Sequence, residues 1–536
     1  MRAEAQRLAD EGRSRGSEGT RLGAAAALLA ASVLLSRVLG YAREALLAYR
    51  IGAGASTDAY YAAFQIPDLL NYLLAGGALS IAFLPIYTRY LARGDDAAAD
   101  RLVATVLGTL GVVSVLATAA LWWWAEPLVK LQFPDFAPQT QALTAHLTRI
   151  VLPGQICFIT GGIINATLLA RNRFGPSAAA PLLYNGGIIA GGLFLTPRLD
   201  VGVEGFAWGA LVGAVLGPLL APLLDARGRI RVGVRVAPTD RAFLGYLIVA
   251  APLMLGQTLL TVDEWYGRWF GALLGAGTVA HLGYARRLML VPVAVVGQAI
   301  AAAALPTLSR LWAEERLDEL NRVVLRTLQV GLVLAVFGAA GFVVLAQPLV
   351  VVMYQHGAFT PADTASVAAI LALMALAVPA WISQQIAARA FYARGDTWRP
   401  MVLGTVVALA AIPLYLAMGK ALGVLGIAAA GVIGMTVNAL ATLLLARWLH
   451  GAPDLGRLAA TTARASGIAL VAAAAAYLVV AVIAAHTTSR ALGVLAISGV
   501  LFSGIVFAGT MTIGDEAMRE ALQRVLRRVR RRAGDA

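Results

Sequence analysis

Long runs of apolar residues, separated by short polar segments, recur along the chain from Leu22 to Ile513. Most runs reach about 18 residues or more, the length of helix that crosses a hydrocarbon core about 30 Å thick. The pattern therefore predicts an all-α, polytopic membrane protein with about 14 transmembrane helices. We place these helices at 22–50, 58–92, 100–125, 138–170, 176–197, 203–226, 240–273, 276–311, 319–346, 361–393, 398–418, 423–449, 457–485 and 490–513.

Short motifs of the first half of the chain return, in the same order, in the second half. The segment Leu84–Arg89, which ends the second predicted helix, matches Leu305–Arg310 at the end of the eighth. The segment Gly52–Gly54 likewise returns as Gly275–Gly277. Matches that keep their order and spacing over such a distance indicate an internal duplication.

The duplication predicts two six-helix repeats with the same membrane orientation, at 22–226 and 240–449, followed by two extra helices within 457–513. Parallel repeats of this kind are typical of transporters that work by alternating access. The sixth predicted helix also carries glycines at four-residue spacing, which predict close helix packing rather than a binding site. These glycines are Gly205, Gly209, Gly213 and Gly217.

The composition supports the membrane assignment and excludes several other classes. The chain is 59% hydrophobic and 13% charged, which is too apolar for a soluble protein of 536 residues. A net charge of +14 would suit nucleic-acid binding, but the positive residues lie in short loops between the apolar runs, where they set topology. We therefore predict no nucleic-acid partner. Only five lysines or arginines lie in the loops of the predicted outer side: Arg50, Lys130, Arg198, Lys420 and Arg490.

This asymmetry of positive charge predicts that both termini are cytoplasmic. The chain would then begin with a cytoplasmic segment at 1–21 and end with a basic tail at 514–536. From Asp515 to Arg532 the tail has the pattern of an amphipathic basic helix that lies on the anionic inner leaflet. The alternative is a solvated segment that only anchors the topology.

Arginines also occur within the predicted spans, where a charge is costly and normally faces a cavity or a partner. A guanidinium stays charged and offers a fork of donors that fits a phosphate group. Arg37, Arg43, Arg286 and Arg287 therefore predict a cationic cavity for an anionic headgroup.

Ion pairing is the alternative interpretation of the arginines within the spans. Arg43 has Glu44 beside it and Asp58 after the next loop, whereas Arg268 follows a pair of carboxylates, Asp263 and Glu264. A guanidinium held by these carboxylates would stabilise the protein rather than bind a substrate.

Two further positions are candidates for a gating or structural role. Asp58 follows Thr57 at the start of the second predicted helix and suits either a helix cap or a gate. Gly40 lies between Arg37 and Arg43, which point about 120° apart on an ideal helix. Either the cavity is wide or the first helix bends near Gly40.

The sequence offers no support for an enzyme. We find no His-Glu-x-x-His motif, no P-loop and no dense carboxylate loop, and the five histidines are scattered. The single cysteine, Cys157, lies in an apolar run, so it can form neither a disulfide within the chain nor a cysteine metal site. We predict a transporter with no cofactor.

Several motifs resemble a known family. The segments Ser36–Glu44, Gly52–Gly54 and Thr57–Ala59 resemble the opening signature of the MurJ (MviN) lipid II flippases, which belong to the multidrug/oligosaccharidyl-lipid/polysaccharide exporter superfamily. Later segments are similar to family motifs in the same order, so that the resemblance covers roughly residues 22 to 513. These segments are Tyr284–Leu288, Leu305–Ser309, His356–Thr360 and Phe391–Thr397.

The resemblance implies a flippase that moves the undecaprenyl-diphosphate-linked peptidoglycan precursor across the bacterial inner membrane. It also implies roles for residues at matching positions. Arg37, Arg43 and Arg287 match arginines of the family's central cavity, and Asp58 matches an essential acidic position. The two extra C-terminal helices would form a groove for the lipid tail. We expect a monomer surrounded by membrane lipids.

Some positions depart from the family pattern. Asn71 stands where the family usually has another cavity arginine, Gly76 where it often has a glutamate, and Arg286 where an acidic residue is common. Either positive charge has moved from Asn71 to Arg286, or the substrate is a different lipid-linked sugar; a paralogue without transport activity is a third alternative. Asp263 is the nearest candidate for a sodium ligand but lies about one turn from the family position. Coupling to the membrane potential or to a cation therefore stays open.

Overall fold

The computed structural model describes residues 2–74, 82–199, 202–228, 230–260, 262–483 and 487–523. It describes side chains from residue 27 onward within these ranges, except at 198–199, 251–264 and 302. Gly76 and the arginine-rich end of the tail thus lie outside the described residues. Within the described ranges the chain forms α-helices and short π-helical stretches and no strand, which confirms the predicted all-α class.

The chain folds into two compact units. The first contains Met1–Ile51 and Ala62–Thr258, and the second contains Gly52–Tyr61 and Leu259–Ala536. The short segment Gly52–Tyr61 thus belongs to the second unit, although it lies between two parts of the first in sequence.

The first unit is built from the helices up to the seventh predicted span. In chain order they are α1 (Arg2–Ile51), α2 (Ala55–Ala63, which crosses the boundary between the units), α3 (Gln65–Leu74), α4 (Leu84–Ala92), α5 (Asp96–Trp123), α6 (Ala125–Gln132), α7 (Pro138–Val151), α8 (Pro153–Ala170), α9 (Gly175–Ala190), α10 (Thr196–Leu199), α11 (Glu204–Ala214), α12 (Ala221–Ala226) and α13 (Arg241–Leu260). π-Helical stretches at Gly191–Leu195 and Val215–Leu220 join α9 to α10 and α11 to α12.

The second unit holds the remaining helices. They are α14 (Val262–Ala272), α15 (Thr278–Pro292), α16 (Gln298–Ala313), α17 (Leu317–Met353), α18 (Pro361–Ala375), α19 (Val378–Ala393), α20 (Trp398–His450), α21 (Leu455–Val482) and α22 (Thr488–Thr512). A π-helical stretch, Val293–Gly297, joins α15 to α16 directly after Pro292. Proline lacks the N–H of a helical hydrogen bond, which explains a helix irregularity at this place.

In the described part of the chain, nine helices are long and apolar enough to cross a membrane, or ten if the pair α18 and α19, bent by 43°, is one span. The number is smaller than our prediction partly because α20 contains two predicted spans. They are joined at Gly423, whose φ of 60° and ψ of −138° are not helical. The membrane class is confirmed, whereas the number fourteen stays a prediction.

The glycine ladder of the first unit lies in a close helix contact, as predicted. A Cβ atom added at Gly209 would lie 2.5 Å from the carbonyl oxygen of Gly187, and one added at Gly213 would lie 2.6 Å from that of Tyr184. Both partners are on α9, so α9 and α11 approach backbone to backbone. Such contacts are typical of small residues in membrane helices. Cys157 is buried on α8, as its apolar surroundings predicted.

The described part of the C-terminal tail packs against the protein. Residues 516–523 are helical, and the side chains of Met518 and Ala521 are buried in a core cluster with residues of α17 and α21. Arg326 of α17 forms an ion pair with Glu520, and the hydroxyl of Thr461 donates to Asp515 at 2.6 Å. The apolar face of this segment is therefore buried against helices rather than offered to a leaflet.

Candidate functional site

The second unit contains a cavity of about 770 Å³. Its wall is formed mainly by residues of α14, α15, α19 and α20, together with Tyr61 from α2, Gln298 from α16 and Met374 from α18. Four arginines line it: Arg268, Arg286, Arg287 and Arg389. Among the side chains that the structure describes, no carboxylate lines this cavity. We call it the arginine cavity.

Aromatic rings support three of the four arginines. The guanidinium of Arg286 lies 5.7 Å from the ring centre of Trp381, and that of Arg287 lies 5.8 Å from the ring centre of Tyr61. Arg389 lies 5.6 Å from the ring of Tyr392, one turn further along α19. A guanidinium over an aromatic face is attracted by the ring and is held in orientation by it.

Packing of α14 against α20 shapes another wall of the arginine cavity. The hydroxyl of Tyr266 donates to the carbonyl of Ala408 at 2.8 Å. The rings of Tyr266 and Phe270 each lie 5.0 Å from the ring of Tyr415. These contacts place Arg268, which lies between the two α14 aromatics in sequence, on the cavity wall.

Side-chain amides complete the polar lining of the arginine cavity. They belong to Gln298, Gln384, Gln385 and Asn438. The amide oxygens of Gln384 and Asn438 are buried and make no hydrogen bond. The cavity therefore combines donors of fixed positive charge with neutral groups that can donate or accept.

Asp58 holds the N-terminus of α15, the helix that carries Arg286 and Arg287. Its fully buried carboxylate accepts hydrogen bonds from the backbone N–H groups of Gly277, at 2.5 Å, and Ala280, at 2.7 Å. A carboxylate at this place satisfies unpaired N–H groups and suits the positive end of the helix dipole. Asp58 thus caps a distant helix rather than its own, α2, and its gating role stays a prediction.

The loop before α2 is bound to the same region of the second unit. The hydroxyls of Thr57 and Tyr284 both donate to the carbonyl of Gly52, at 2.8 and 3.2 Å. The backbone at Gly277 has a φ of 86°, and a Cβ there would lie 2.7 Å from the carbonyl of Ala53. A side chain at Gly277 would be both strained and obstructed, which explains the glycine.

The first unit contains the other predicted arginines. Arg43 donates to the carboxylate of Glu44 at 2.7 Å and to the amide oxygen of Asn185 at 3.1 Å. The Glu44 side chain is 1% exposed and that of Arg43 is 15% exposed. The ion-pair alternative therefore describes Arg43 in this structure, and Glu44 has the structural role that we predicted as one alternative. Arg37, one and a half turns earlier on α1, is partly buried.

Asn185 was not found from the sequence, although it organises this part of the first unit. Its amide nitrogen donates to the carbonyl of Pro181 at 3.0 Å and to the hydroxyl of Ser36 at 3.3 Å, while its oxygen accepts from Arg43. The residue thus joins α1 to α9. An asparagine within an apolar run was the only signal that the sequence gave.

The remaining predicted residues are only partly described. Asn71 lies on α3 with its side chain half-buried, and α1 runs through Gly40 without interruption. The side chains of Asp263 and Glu264 lie outside the described residues, so the predicted pairing of Arg268 with them stays a prediction. In the described part of the chain, no group of three or more His, Cys, Asp or Glu residues is arranged to hold a metal ion.

Arg389 is a cavity residue that the sequence analysis missed. It lies on α19, shortly before the motif that begins at Phe391, and we did not treat it as a charge within a span. The sequence did contain a signal for Arg389, because an arginine among apolar residues of a membrane helix normally faces a cavity or a partner.

Comparison with known proteins gives a consistent result. A family model described as "Lipid II flippase MurJ" matches residues 47–495. The chain is 28% identical over 422 residues to a probable lipid II flippase MurJ of Rhizobium meliloti, which covers 77% of this chain and 78% of the relative. It is 30% identical over 376 residues to the lipid II flippase MurJ of Burkholderia cenocepacia. This match covers 69% of this chain and 72% of the relative.

Solved structures show the same fold. A lipid II flippase MurJ in an inward closed conformation superposes with a TM-score of 0.77 at 21% identity, covering 91% of this chain and 99% of that one. An inward-facing multidrug resistance MATE family transporter of the MOP superfamily gives a TM-score of 0.67 at 17% identity. This superposition covers 79% of this chain and 95% of the transporter.

Proposed function

Because the chain belongs to the MurJ family of lipid II flippases, we propose that it carries lipid II from the inner to the outer leaflet of the bacterial inner membrane. It is a multi-pass membrane transporter and not an enzyme. The peptidoglycan precursor that the relatives are named for consists of a lipid chain, a diphosphate and a sugar-peptide headgroup. The sites on this chain must therefore accommodate an anion beside polar and apolar parts.

The observation that carries the proposal is the arginine cavity. Four guanidinium groups line a space of about 770 Å³, within the size range of small-molecule sites. Guanidinium groups bind phosphate oxygens with two parallel hydrogen bonds, and the attraction is stronger where water is partly excluded. A diphosphate, which offers several such oxygens in a small volume, fits this cluster.

We assign the following steps to residues of the chain. Arg286 and Arg287 on α15, with Arg268 and Arg389, hold the diphosphate, and their aromatic partners keep them oriented. Asp58 fixes the start of α15 and thereby the position of both α15 arginines.

Other predicted residues enter the proposal on sequence grounds. Arg37, Arg43 and Asn71 are further contacts of the substrate, in a protein that alternates its access between the two sides of the membrane. For Arg43 to take part, its bond to Glu44 must open or be shared.

The same proposal covers the path of the lipid chain and the source of energy for its movement. The lipid tail of the substrate follows α21 and α22, both long apolar helices of the second unit, while membrane lipids surround the protein.

Both termini are cytoplasmic, and the protein acts as a monomer. The membrane potential biases the step, because moving one charge through 100 mV is worth about 2.3 kcal/mol; a coupling cation is an alternative source of energy.

A flippase for a different lipid-linked oligosaccharide is the second candidate. It is favoured by the presence of Arg286 in the cavity, where the family often has an acidic residue. Such a protein would use the same diphosphate contacts and would differ only in the headgroup.

Flipping in reconstituted vesicles tests the proposal. We expect the full-length protein to move lipid II, and Arg287→Ala to abolish the movement, because a charge-assisted phosphate contact is lost in a desolvated cavity. Arg457→Ala is the matched control, since Arg457 is 76% exposed at the start of α21 and is not among the residues that line the cavity.

The outcomes separate the candidates. Movement of lipid II by the wild type and by Arg457→Ala, but not by Arg287→Ala, supports a lipid II flippase. Movement of another diphosphate-linked sugar, but not of lipid II, supports the second candidate. Normal movement by Arg287→Ala at normal expression would remove the cavity from the mechanism. Complementation of a strain depleted of its own peptidoglycan-precursor flippase provides the same test in cells.

A further inference from the structure

The connection between the two predicted repeats lies on α5 of the first unit. It runs from Ile230 to Asp240, between α12 and α13, and contains no helix. We call it the linker strap. The amide N–H of Arg235 donates to the carbonyl of Ala104 at 2.9 Å, and that of Ala237 donates to the hydroxyl of Thr109 at 3.2 Å. The linker strap is therefore attached to α5 at two points.

A glycine of α5 allows the linker strap to approach the helix closely. A Cβ added at Gly108 would lie 2.4 Å from the carbonyl oxygen of Arg235, so any side chain here would displace the strap backbone. The start of the strap is fixed as well, because Ile230 is buried in a core cluster of the first unit and Val232 packs against it. The linker strap thus has a built seat, which a loose connection between two helices would not need.

The second half of the linker strap leaves apolar side chains uncovered. Val234 is 75% exposed and Val236 is 56% exposed. Arg235 lies between them, and Arg231 precedes them; both arginine side chains are also exposed. Exposed apolar and basic residues side by side suit a surface that offers apolar and anionic groups together, as the interface of a bilayer does.

Positive charge dominates the linker strap and its two ends. The sequence from Arg227 to Arg241 contains five arginines but only one carboxylate, that of Asp240. Nη1 of Arg235 lies 3.3 Å from this carboxylate, which can neutralise one arginine. The side chains of Arg227, Arg231 and Arg241 are exposed. The charge of this region is therefore complementary to anionic headgroups.

The depth of the linker strap follows from its position along α5. This helix ends at Trp122 and Trp123, whose exposed side chains suit one membrane interface. At about 1.5 Å per residue, Gly108 lies about 21 Å from Trp122 along the helix, and Ala104 about 27 Å. A hydrocarbon core is about 30 Å thick. The strap therefore crosses α5 close to the opposite interface, near the level of the lipid phosphates.

We propose that the linker strap binds anionic phospholipids of the inner leaflet, with Arg231 and Arg235 at the lipid phosphates and Val234 and Val236 against the acyl chains. The inference goes beyond the proposed function, because these lipids are not the substrate, and it takes from that proposal only the side of the membrane. A guanidinium binds phosphate oxygens with two parallel hydrogen bonds, and the valines gain free energy by leaving water. Lipid binding thereby holds the first unit to the inner leaflet.

Lipid titration of the purified full-length protein, without lipid II, tests the proposal. Native mass spectrometry measures the binding of phosphatidylglycerol and of phosphatidylcholine with the same acyl chains, and the wild type should prefer phosphatidylglycerol. Arg231→Gln/Arg235→Gln should weaken phosphatidylglycerol binding by about twentyfold to thirtyfold, because each basic residue near an anionic surface is worth about fivefold. Phosphatidylcholine binding should change much less, since its choline group cancels the phosphate charge.

Matched variants separate the strap from the overall charge of the protein. Arg457→Gln/Arg464→Gln removes two exposed arginines near the start of α21 and should leave both affinities unchanged. Val234→Ser/Val236→Ser removes only apolar contacts, so it should weaken both lipids alike and preserve the ratio of their affinities. If the double arginine variant folds poorly, Arg231→Gln alone gives the same test with an effect of about fivefold.

Two further measurements identify the ligand and its leaflet. Glycerol 3-phosphate carries a phosphate without acyl chains and should not displace phosphatidylglycerol at matched concentration. A cysteine introduced by Thr239→Cys, in a Cys157→Ala background, should react with a membrane-impermeant maleimide only after the cells are opened, because the linker strap is on the inner side.

Each outcome decides the question. A loss of the phosphatidylglycerol preference that is confined to the strap arginines supports the proposal. An equal loss in both double arginine variants overturns it, as do equal wild-type affinities for the two lipids. Displacement by glycerol 3-phosphate would show a site for soluble anions, and labelling of intact cells would place the strap on the outer side; either result also overturns the proposal. Flipping of lipid II is measured separately, so a failure of the proposed function gives a different result.

Discussion

The two helix pairs that the predicted internal repeat would make equivalent differ in part of their contact. In the first unit, α9 and α11 meet through Gly187 and Gly209, and any side chain there would collide with the opposite backbone. In the second unit the corresponding pair is the two limbs of α20, before and after Gly423. These limbs also meet closely at Gly426, where an added Cβ would overlap the carbonyl oxygen of Met418, but they leave space at Gly434. A Cβ added at Gly434 would lie 3.7 Å from the nearest atom, the Cβ of Ala411, and both residues line the arginine cavity.

The polar groups beside these two helix pairs also differ, although the first unit too contains buried polar atoms without a hydrogen bond, such as those of Gln65 and Gln155. In the first unit, Arg43, Glu44, Asn185 and Ser36 satisfy one another by hydrogen bonds. In the second unit, amide oxygens on the cavity wall have no partner. The two helix pairs thus differ where α20 lines the arginine cavity, because an added methyl group has space at Gly434 but not at Gly209. Three predictions test this contrast.

Glu44→Ala should have the largest effect. The substitution leaves the Arg43 guanidinium, 15% exposed, without its charged partner. Breaking a buried ion pair from one side typically costs about 3–5 kcal/mol of the free energy of unfolding. Thermal unfolding of the purified protein measures the loss. The double variant Arg43→Ala/Glu44→Ala should recover part of the stability, and equal stability of Glu44→Ala and the wild type would contradict a closed network in the first unit.

Gly209→Ala and Gly434→Ala form a matched pair with an intermediate effect. The first methyl group meets the backbone of α9 at 2.5 Å, so the helices must separate, at a cost of about 1–3 kcal/mol. The second enters space at ordinary contact distance, and its effect on unfolding should be within about 0.5 kcal/mol. Equal destabilisation by both variants would show that the limbs of α20 pack as tightly at Gly434 as α9 and α11 pack at Gly209.

Arg389→Gln should have the smallest effect on stability and should act on binding instead. Arg389 lines the arginine cavity over the ring of Tyr392. The loss of one charge-assisted bond to a diphosphate, about 1.5 kcal/mol at the low end, corresponds to about tenfold weaker binding of lipid II. Titration of the reconstituted variant measures the affinity. A fall in thermal stability with unchanged affinity would assign Arg389 to the structure rather than to the substrate.

Much of the fold followed from the sequence because membrane helices leave a strong pattern. Apolar length predicted the helical class, and the glycine ladder from Gly205 to Gly217 predicted the close contact of α11. The break within α20 was predicted in place, because the predicted spans 398–418 and 423–449 meet at Gly423, whereas the π-helical stretches were not predicted. The joined limbs of α20 depend on a single glycine, Gly423, with a backbone angle that composition does not reveal.

The site was predicted less completely. Arg286 and Arg287, both predicted site residues, line the arginine cavity. Arg389 and the four amides were missed; a neutral amide in an apolar run has no distinctive spacing. Asp58 was recognised as a capping residue, although its partner helix begins more than two hundred residues later in the chain. Contacts of this kind depend on the tertiary fold, and local sequence rules cannot give the partner.

The docked segment at 516–523 has a practical consequence for anyone who shortens this protein. A stop codon before Asp515 would remove more than a run of positive charge, because Met518 and Ala521 cover apolar side chains of α17 and α21. It would also leave Arg326 without Glu520. A chain truncated before Asp515 should therefore expose new apolar surface and tend to self-associate in detergent. A chain truncated after residue 523 would keep these apolar side chains covered.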